Sequence, residues 1–372
     1  MDSATRGTLR GHRLLGGLFA ILLFAGAANG LLHLWWIGER LGAFEVLDWA
    51  TGRATAAIDE EFARSFLPEN DSLQLADSAW QYRFLGTLGR QVREGCPGWL
   101  FYEEALSDQP GGQAAFAARL EILHRLEREV ARRGLRLLVV TVPDKARVVP
   151  QQTCGIGFAP HARARYDLWQ QALTAEGVDH LDLLPVLRSG ADPFYRTDVH
   201  WTAGGAEAAA AAVAGRVEQA LGGQGPARYE VTGSEREEER IGDLIHLAGL
   251  EGAAPGWRPA GDLMRPRSVT LKSGGLLDPV APPEILLAGS SFSRRSEFAG
   301  RLGLHSGRAV WNASLDGGRF IGAFADLLRA DTPWPDSLRL VVWELSEYSL
   351  LLPLDDQERD LLAWLRSKDG EA

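Results

Sequence analysis

The sequence is poor in cysteine, in positive charge and in nucleotide-binding motifs. Only two of the 372 residues are cysteines and no C-x-x-C pair is present, which argues against a cysteine-bound metal site. Lysine and arginine number 39 against 49 aspartates and glutamates, so the net charge of −10 argues against nucleic-acid binding and a polybasic membrane patch. The chain has no P-loop and no G-x-G-x-x-G sequence, and we expect neither a cofactor nor a metal ion.

One long apolar run is present, at residues 14–36, and it contains no Asp, Glu, Lys or Arg. It is long enough to span a bilayer, and the arginines before it belong on the cytoplasmic side. We therefore expect residues 1–40 to form an uncleaved membrane anchor, which leaves the rest of the chain outside the cytoplasm. A cleaved signal peptide is the alternative, because Ala25-Gly26-Ala27 is an A-x-A pattern after a short apolar core.

The two cysteines, Cys96 and Cys154, are far apart in the sequence. Both interpretations of the N-terminal run export the protein, and the thiols of exported proteins often pair. We therefore predict a disulfide between Cys96 and Cys154, with two unpaired thiols as the alternative.

From residue 95 onward, apolar strand-like runs alternate with amphipathic helical segments, which predicts a mainly parallel sheet with helices on both faces. The predicted strands are 135–142, 178–184, 284–288, 309–314 and 338–345. We expect this α/β domain to cover residues 95–350, after a helical membrane-proximal segment at 41–94 and before a C-terminal helix within 351–372. Residues 222–283 break the pattern and are predicted to be a loop-rich insertion, in which the charge run 235–240 lies on a solvated face.

The stretch most typical of a reactive centre is residues 194–202, just before an alanine-rich helix. Asp198 and His200 are two residues apart, so in extended backbone their side chains point to the same face. A carboxylate beside an imidazole fixes its tautomer and stabilises its protonated form, which a general base requires. We predict that Asp198 orients His200 as a base, with a surface polar pair as the alternative. Tyr195 and Arg196 are candidates for positioning substrate or for structural hydrogen bonds.

A candidate nucleophile lies at residues 286–293, an apolar run that ends in small residues. This pattern predicts a buried strand that feeds a tight turn into a helix, whose first N–H groups point at a developing oxyanion. Ser291 is the predicted nucleophile because it has the usual place in a G-x-S turn, and Ser290 and Ser293 are the alternatives. The α/β-hydrolase elbow G-x-S-x-G is not matched, since position 293 is serine.

Other polar residues follow predicted strands. Asn312 is a candidate for completing the oxyanion hole, although an asparagine at a strand end is more often a turn residue. Lys145 is a candidate for closing the rim of the active site, with a solvated side chain as the alternative. Glu344 and Glu347 follow the last strand, and the sequence does not fix the separation that would identify a glycosidase pair.

These motifs resemble those of the alginate O-acetyltransferase family of the AlgJ/AlgX type, whose members are SGNH-hydrolase-like enzymes. The family pattern is D-x-H-W-T followed by G-T-S-[YF]-S, and this chain has Asp198-Val199-His200-Trp201-Thr202 and Gly289-Ser290-Ser291-Phe292-Ser293. Further agreement lies in Gly98-Trp99-Leu100-Phe101, Val142-Pro143-Asp144-Lys145, Gly242-Asp243-Leu244, Asn312-Ala313-Ser314 and Trp343-Glu344. The chain departs from the family pattern in having Ser290 for the usual threonine, Cys96, and Tyr348 where arginine is frequent.

The resemblance implies an SGNH-hydrolase-like fold and an O-acetyltransferase that passes an acetyl group from Ser291 to hydroxyls of an exported bacterial polysaccharide, alginate or similar. It also implies a periplasmic location at the inner membrane and an acetyl donor supplied by a membrane-bound O-acyltransferase. The residues after Glu347 leave no room for a carbohydrate-binding module, so the anchored AlgJ type is expected. The alternatives are a carbohydrate esterase with the same triad, which uses water as acceptor, and a non-enzymatic subunit of a polysaccharide export complex.

Overall fold

The computed structural model describes residues 70–272, 281–322, 324–330 and 333–370, together with scattered positions before residue 70. The chain divides into two compact units, Met1–Ala76 and Asp77–Ala372. Many positions of the apolar run 14–36, and most of residues 41–69, lie outside the described residues. Within the described part of the chain, no helix combines the length and the apolar character needed to cross a membrane.

Helices alternate with the strands of the main sheet, and short strands pair separately. The strands are β1 Val92–Glu94, β2 Leu100–Tyr102, β3 Arg136–Val142, β4 His180–Asp182, β5 Tyr229–Gly233, β6 Glu238–Arg240, β7 Asp262–Met264, β8 Arg267–Leu271, β9 Ile285–Ala288, β10 Val310–Asn312 and β11 Leu340–Ser346. The α-helices are α1 Asn70–Trp80, α2 Glu103–Leu106, α3 Gly112–Arg132, α4 Lys145–Val148, α5 Pro160–Ala175, α6 Leu184–Arg188, α7 Ala203–Leu221, α8 Asp243–Leu247, α9 Ser291–Arg295, α10 Phe298–Ser306, α11 Phe324–Arg329 and α12 Asp356–Gly370. A π-helical turn lies at Gln81–Leu85, and 3₁₀ turns lie at Pro150–Gln152 and Glu347–Leu351.

Five strands form a parallel sheet in the order β10-β9-β11-β3-β4. The central strand is β11, whose Leu340 pairs with Arg136 of β3 and with Ile285 of β9. All seven residues of β11 are buried, as is typical of a parallel strand covered by helices on both faces. The predicted α/β domain with a mainly parallel sheet is confirmed, and each predicted strand contributes to this sheet.

Alternate residues of the sheet point into two separate apolar cores. On one face, Val140 and Val342 pack with the alanine-rich helix α7 and with α10. On the other face, Val139 and Trp343 pack with α3, α5, α11 and α12. The helices therefore cover both faces, and the carboxyl ends of the strands remain as the edge where open α/β sheets place their binding sites.

The insertion predicted at 222–283 contains regular structure rather than loops alone. Strand β5 pairs antiparallel with β8, β6 pairs antiparallel with β7, and α8 follows β6. Gly242, directly before α8, lies so close to the 194–202 loop that a Cβ on it would fall 2.1 Å from the Thr197 carbonyl oxygen. Only glycine permits this approach, so the insertion is seated on the loop that carries Asp198 and His200.

A disulfide joins Cys96 to Cys154. Beside it, the Cys96 N–H donates a hydrogen bond to the Gln152 carbonyl oxygen at 2.8 Å. Together these bonds tie the β1–β2 hairpin to the segment that follows α4, close to the carboxyl end of β3.

Candidate active site

Asp198, His200 and Ser291 form one hydrogen-bonded chain. His200 Nδ1 lies 2.6 Å from Asp198 Oδ1, which also accepts a hydrogen bond from the His200 backbone N–H at 3.0 Å. His200 Nε2 lies 2.9 Å from Ser291 Oγ. The short contact to the carboxylate assigns the proton to Nδ1, so Nε2 carries the lone pair that accepts a hydrogen bond from the Ser291 hydroxyl. The fold thus brings the three predicted residues together in the geometry of a catalytic triad.

The three serines of the nucleophile turn have different surroundings. Ser290 and Ser293 are 4% and 0% exposed, and their hydroxyls donate to the Glu344 carboxylate at 2.9 and 2.7 Å. Ser290 Oγ also caps α9, because it accepts a hydrogen bond from a backbone N–H of the first turn. Ser291 begins α9, is partly exposed and directs its Oγ at His200. The geometry therefore favours Ser291 as nucleophile, while its two neighbours brace the turn.

Glu344 lies beneath this turn, near the carboxyl end of β11. Its carboxylate is almost fully buried and also accepts the Ser290 backbone N–H at 2.8 Å. Burial raises the pKa of Glu344, and the hydrogen bonds from Ser293 and Ser290 act in the opposite direction. Glu347 has different partners, since it accepts two hydrogen bonds from Arg147 at 2.9 and 2.7 Å in a separate buried network. Both glutamates are thus taken up by structural bonds, which disfavours a glycosidase pair.

The second oxygen of Asp198 is held by Arg240, whose Nε and Nη2 donate to Oδ2 at 3.1 and 2.7 Å. The prediction that the charge run 235–240 lies on a solvated face is wrong for Arg240. Residues 235–239 are exposed, whereas Arg240 is partly buried and lies over the Tyr195 ring, because the buried carboxylate requires a counter-charge. Burial alone would raise the pKa of Asp198, but the hydrogen bond from His200 and the charge of Arg240 hold it well below its ordinary value.

The backbone of the same loop is held by Asp262 of β7. Its Oδ1 accepts the Arg196 backbone N–H at 2.9 Å, and its Oδ2 accepts the Thr197 N–H and hydroxyl at 2.9 and 2.6 Å. The insertion therefore fixes the 194–202 loop, the catalytic loop, at two points. Arg240 binds the Asp198 carboxylate, and Asp262 binds the backbone before it.

A second carboxylate, Asp243 of α8, places its Oδ2 3.4 Å from His200 Nδ1. The same oxygen accepts a hydrogen bond from Arg295 at 2.6 Å. One ligand atom each from Asp198, His200 and Asp243 lie within 4.8 Å of one another, a spacing that a metal ion could bridge. Both carboxylates, however, already bind guanidinium groups, so this donor set fits an ion-pair network better than a cation.

A cavity of about 290 Å³ opens in front of Ser291. Its polar lining comes from Asp144, Lys145, His200, Asp243, His246, Ser291 and Arg295. Most of the remaining lining is apolar and comes from β2, α2, α8 and neighbouring loops: Phe101, Ala105, Leu106, Val199, Leu244 and Leu247. The volume is at the small end of the range for ligand pockets, which suits a short acyl group better than a polymer.

The remaining predicted site residues lie in different places. Lys145 is buried against the catalytic loop, so it is not a solvated side chain. Tyr195 and Arg196 border a neighbouring, larger groove. Asn312 is exposed at the end of β10, and its Oδ1 accepts the Ser314 backbone N–H at 3.0 Å, as a turn residue does. A role for these four residues in oxyanion or substrate binding stays a prediction.

The sequence alone did not identify four charged residues of the site: Arg240, Asp243, Asp262 and Arg295. Asp243 carried a signal, because Gly242-Asp243-Leu244 belongs to the family pattern, but no role could be attached to it. Arg240 and Asp262 carried none, because both sit among other charged or loop residues of the insertion and gain their partners only through the tertiary fold.

Comparison with known proteins identifies the family to which this domain is similar. A sequence profile of the family described as "SGNH hydrolase-like domain, acetyltransferase AlgX" matches residues 92–347. The "Probable alginate O-acetylase AlgJ" of Pseudomonas aeruginosa is 28% identical over 297 residues, which cover 74% of this chain and 75% of that protein. The O-acetyltransferase domain of Pseudomonas putida AlgJ superposes with a TM-score of 0.66 at 24% identity, over 74% of this chain and 99% of that domain. Pseudomonas aeruginosa AlgX gives 0.56 at 20% identity, over 74% and 67%. The profile describes the domain as SGNH-hydrolase-like, and the two structures share its fold.

Proposed function

Since the chain belongs to the SGNH hydrolase-like acetyltransferase family of AlgX, and is therefore an acetyltransferase, we propose that it transfers acetyl groups through a Ser291 acyl-enzyme to hydroxyls of an exported bacterial polysaccharide. The observation that carries this proposal is the 2.9 Å contact between His200 Nε2 and Ser291 Oγ at the wall of a small, mostly apolar cavity. Alginate or a similar exopolysaccharide is the proposed acceptor, because the relatives named as alginate O-acetylases share this domain.

In the first half-reaction, Ser291 Oγ attacks the acetyl carbonyl carbon of the donor while its proton passes to His200 Nε2. Asp198 accepts the Nδ1–H bond and stabilises the imidazolium that forms. The carbonyl oxygen becomes an oxyanion, for which the Ser291 backbone N–H at the start of α9 is one donor. When the tetrahedral intermediate collapses, His200 returns the proton to the leaving group and the acetyl ester of Ser291 remains.

In the second half-reaction, a sugar hydroxyl attacks the acetyl ester. His200 Nε2 takes the hydroxyl proton and returns it to Ser291 Oγ, so the enzyme ends in its starting state with one acetyl group on the polymer. Water in place of the sugar would give an esterase. The family description favours transfer, and the apolar lining of the cavity supports it because such a lining holds little water near the ester.

The proposal includes a location and a donor. Residues 1–40 are proposed to anchor the protein in the inner membrane with the α/β domain in the periplasm, a view supported by the apolar run at 14–36 and by the disulfide. A membrane-bound O-acyltransferase is proposed to supply the acetyl group, as the resemblance to the AlgJ/AlgX family implies, and the lack of a nucleotide-binding motif in this chain agrees with a donor of another kind.

The test is single-turnover acetylation followed by intact-protein mass spectrometry. Purified protein is mixed with p-nitrophenyl acetate, and an oligouronate is then added as acceptor. We expect one acetyl group on the protein, its loss on addition of the acceptor, and its appearance on the oligosaccharide. An adduct that is lost equally fast without acceptor, with no acetylated sugar, would instead identify an esterase.

Three serine variants assign the nucleophile within this experiment. Ser291→Ala should take up no acetyl group. Ser290→Ala and Ser293→Ala should still form the adduct at a reduced rate, because they remove hydrogen bonds to Glu344 and, for Ser290, the cap of α9, but leave the attacking hydroxyl in place. If folded Ser291→Ala is acetylated as fast as the unaltered protein, the proposed mechanism is wrong.

A further inference from the structure

Lys145, the first residue of α4, directs its ammonium group into the protein rather than into solvent. Nζ donates to the backbone carbonyl oxygens of Leu100 at 2.6 Å, Arg196 at 2.7 Å and Asp198 at 3.1 Å. The rings of Trp99 and Phe101 lie 5.3 and 5.1 Å from Nζ, which suits a cation. An ammonium group has three N–H bonds, and all three are used here.

The three acceptors belong to two separate segments. Leu100 lies in β2, whereas Arg196 and Asp198 lie in the catalytic loop, and the Leu100 N–H also donates to the Arg196 carbonyl oxygen at 2.8 Å. Lys145 thus holds the carbonyl group of Asp198, while Arg240 and His200 hold its carboxylate. Loss of the Lys145 contact would free the backbone from which both Asp198 and His200 project.

We propose that Lys145 is a positioning residue that holds the Asp198–His200 backbone in its reactive geometry, and that it does so only as a protonated ammonium group. A neutral amine has two N–H bonds and one lone pair. Because all three neighbours are carbonyl oxygens, deprotonation removes one hydrogen bond and turns a lone pair toward an oxygen atom. This inference rests on the proposed serine chemistry, since the rate it controls is that of Ser291 acetylation.

The charges around Lys145 place this change within an accessible pH range. Burial lowers its pKa to about 7, the carboxylates of Asp262 and Asp198 act in the opposite direction, and Arg196 adds to the lowering. Asp144, the preceding residue, is paired with Arg165. We therefore expect the rate of acetylation to fall on the alkaline side as Lys145 loses its proton.

This fall is distinguishable from alkaline unfolding. The pKa of Lys145 is lower in the folded chain than the ordinary lysine value of about 10.4 in the unfolded chain. Between those two values the unfolded chain binds the extra proton, so the contribution of Lys145 to stability increases with pH. Activity and stability are therefore expected to change in opposite directions above pH about 7.

The test is the rate of Ser291 acetylation by p-nitrophenyl acetate from roughly pH 6 to 9, measured by quenched mass spectrometry, with thermal unfolding followed at each pH. The chain has three lysines, of which Lys272 is exposed and provides a matched control. We expect a descending limb with a midpoint near pH 7 in the unaltered protein and in Lys272→Met. Lys145→Met should be about 10- to 100-fold slower and should lack that limb.

A second measurement is independent of activity and of the folding of any variant. With ¹³C-labelled lysine there are few Cε resonances, and one of them should titrate with a midpoint near 7 in the unaltered protein. A flat alkaline rate profile, a folded Lys145→Met with full activity, or a Lys145 midpoint near that of ordinary lysine would each overturn the inference. If no Ser291 adduct forms at any pH, the proposed function fails instead, and the titration still decides whether Lys145 holds the loop as a cation.

Discussion

Arg240 offers the sharpest test of how the catalytic carboxylate is held. Arg240→Met removes both hydrogen bonds to Asp198 Oδ2, and with them the guanidinium group over the Tyr195 ring, while keeping an unbranched apolar side chain. Asp198 keeps two bonds to His200, so its geometry is loosened rather than lost. Hydrogen bonds to charged groups contribute about 1.5–3 kcal/mol, and a loss near 2 kcal/mol corresponds to about a 30-fold lower rate of Ser291 acetylation.

An opposing effect must be weighed against this loss. Arg240 also offsets part of the Asp198 charge, so removing it strengthens the attraction between Asp198 and the His200 imidazolium. We expect the loss of positioning to outweigh the gain in attraction. The two hydrogen bonds from the Arg240 guanidinium fix a buried oxygen that would otherwise have no charged partner, whereas the charge that is lost is partly exposed and screened. Arg240→Lys separates the two effects, since it keeps the positive charge but cannot donate the paired hydrogen bonds of a guanidinium group.

The assay is single-turnover acetylation as a function of pH, with Arg258→Met as the matched control. Arg258 lies in the same insertion but binds Glu239 instead of Asp198. Removal of Arg240 raises the pKa of Asp198. As the pH is lowered, the variant therefore protonates Asp198 and loses activity at a higher pH than the unaltered protein does. An Arg240→Met protein that is as fast as or faster than the unaltered one, or an Arg240→Lys protein with full activity, would refute the primacy of positioning.

Three other predictions concern the triad, the disulfide and the N-terminal run. His200→Ala should slow acetylation about as much as loss of the nucleophile, and Asp198→Asn no more than that, with circular dichroism unchanged, because triad residues act as one unit. Cys96→Ser should lower the free energy of unfolding by about 4 kcal/mol in urea titrations, since the bond to Cys154 closes a loop with a sequence separation of 58; an unchanged midpoint would contradict this. N-terminal sequencing of membrane-bound protein should begin at or near residue 1, because we expect the run 14–36 to be retained; soluble protein that starts just after Ala27 would contradict this and identify a signal peptide.

The sheet was predictable because its strands are continuous apolar runs that only a doubly covered parallel sheet can bury. The limits of the strands were less predictable. Strand β4 is His180–Asp182 within a predicted run of 178–184, because Val178 lies before the strand and Leu184 already begins α6. The sequence predicted a helix after the small-residue turn but not its first residue, which is Ser291 because the Ser290 side chain caps the helix.

The triad was predictable for a different reason. The pairing of Asp198 with His200 is local in sequence, and the turn that carries Ser291 has its own residue pattern. The ion pairs that hold these residues are not local. Arg240 looks like one charge in an exposed run, and Lys145 looks like an ordinary surface lysine, until the fold places carbonyl and carboxylate oxygens around them. Propensity and spacing describe a segment by itself and carry no information about such distant partners.

The insertion contacts the 194–202 loop through Gly242, Arg240 and Asp262. The geometry of Asp198 and His200 therefore depends on the least regular part of the domain. The insertion is built from short two-stranded ribbons with exposed edges, whereas the sheet is buried on both faces. Such peripheral ribbons open at lower free energy than central strands do. Local opening of the insertion can therefore remove activity while the sheet, its covering helices and the disulfide remain intact. Only chains in which the insertion is closed on the 194–202 loop would then hold Asp198 and His200 in contact with Ser291.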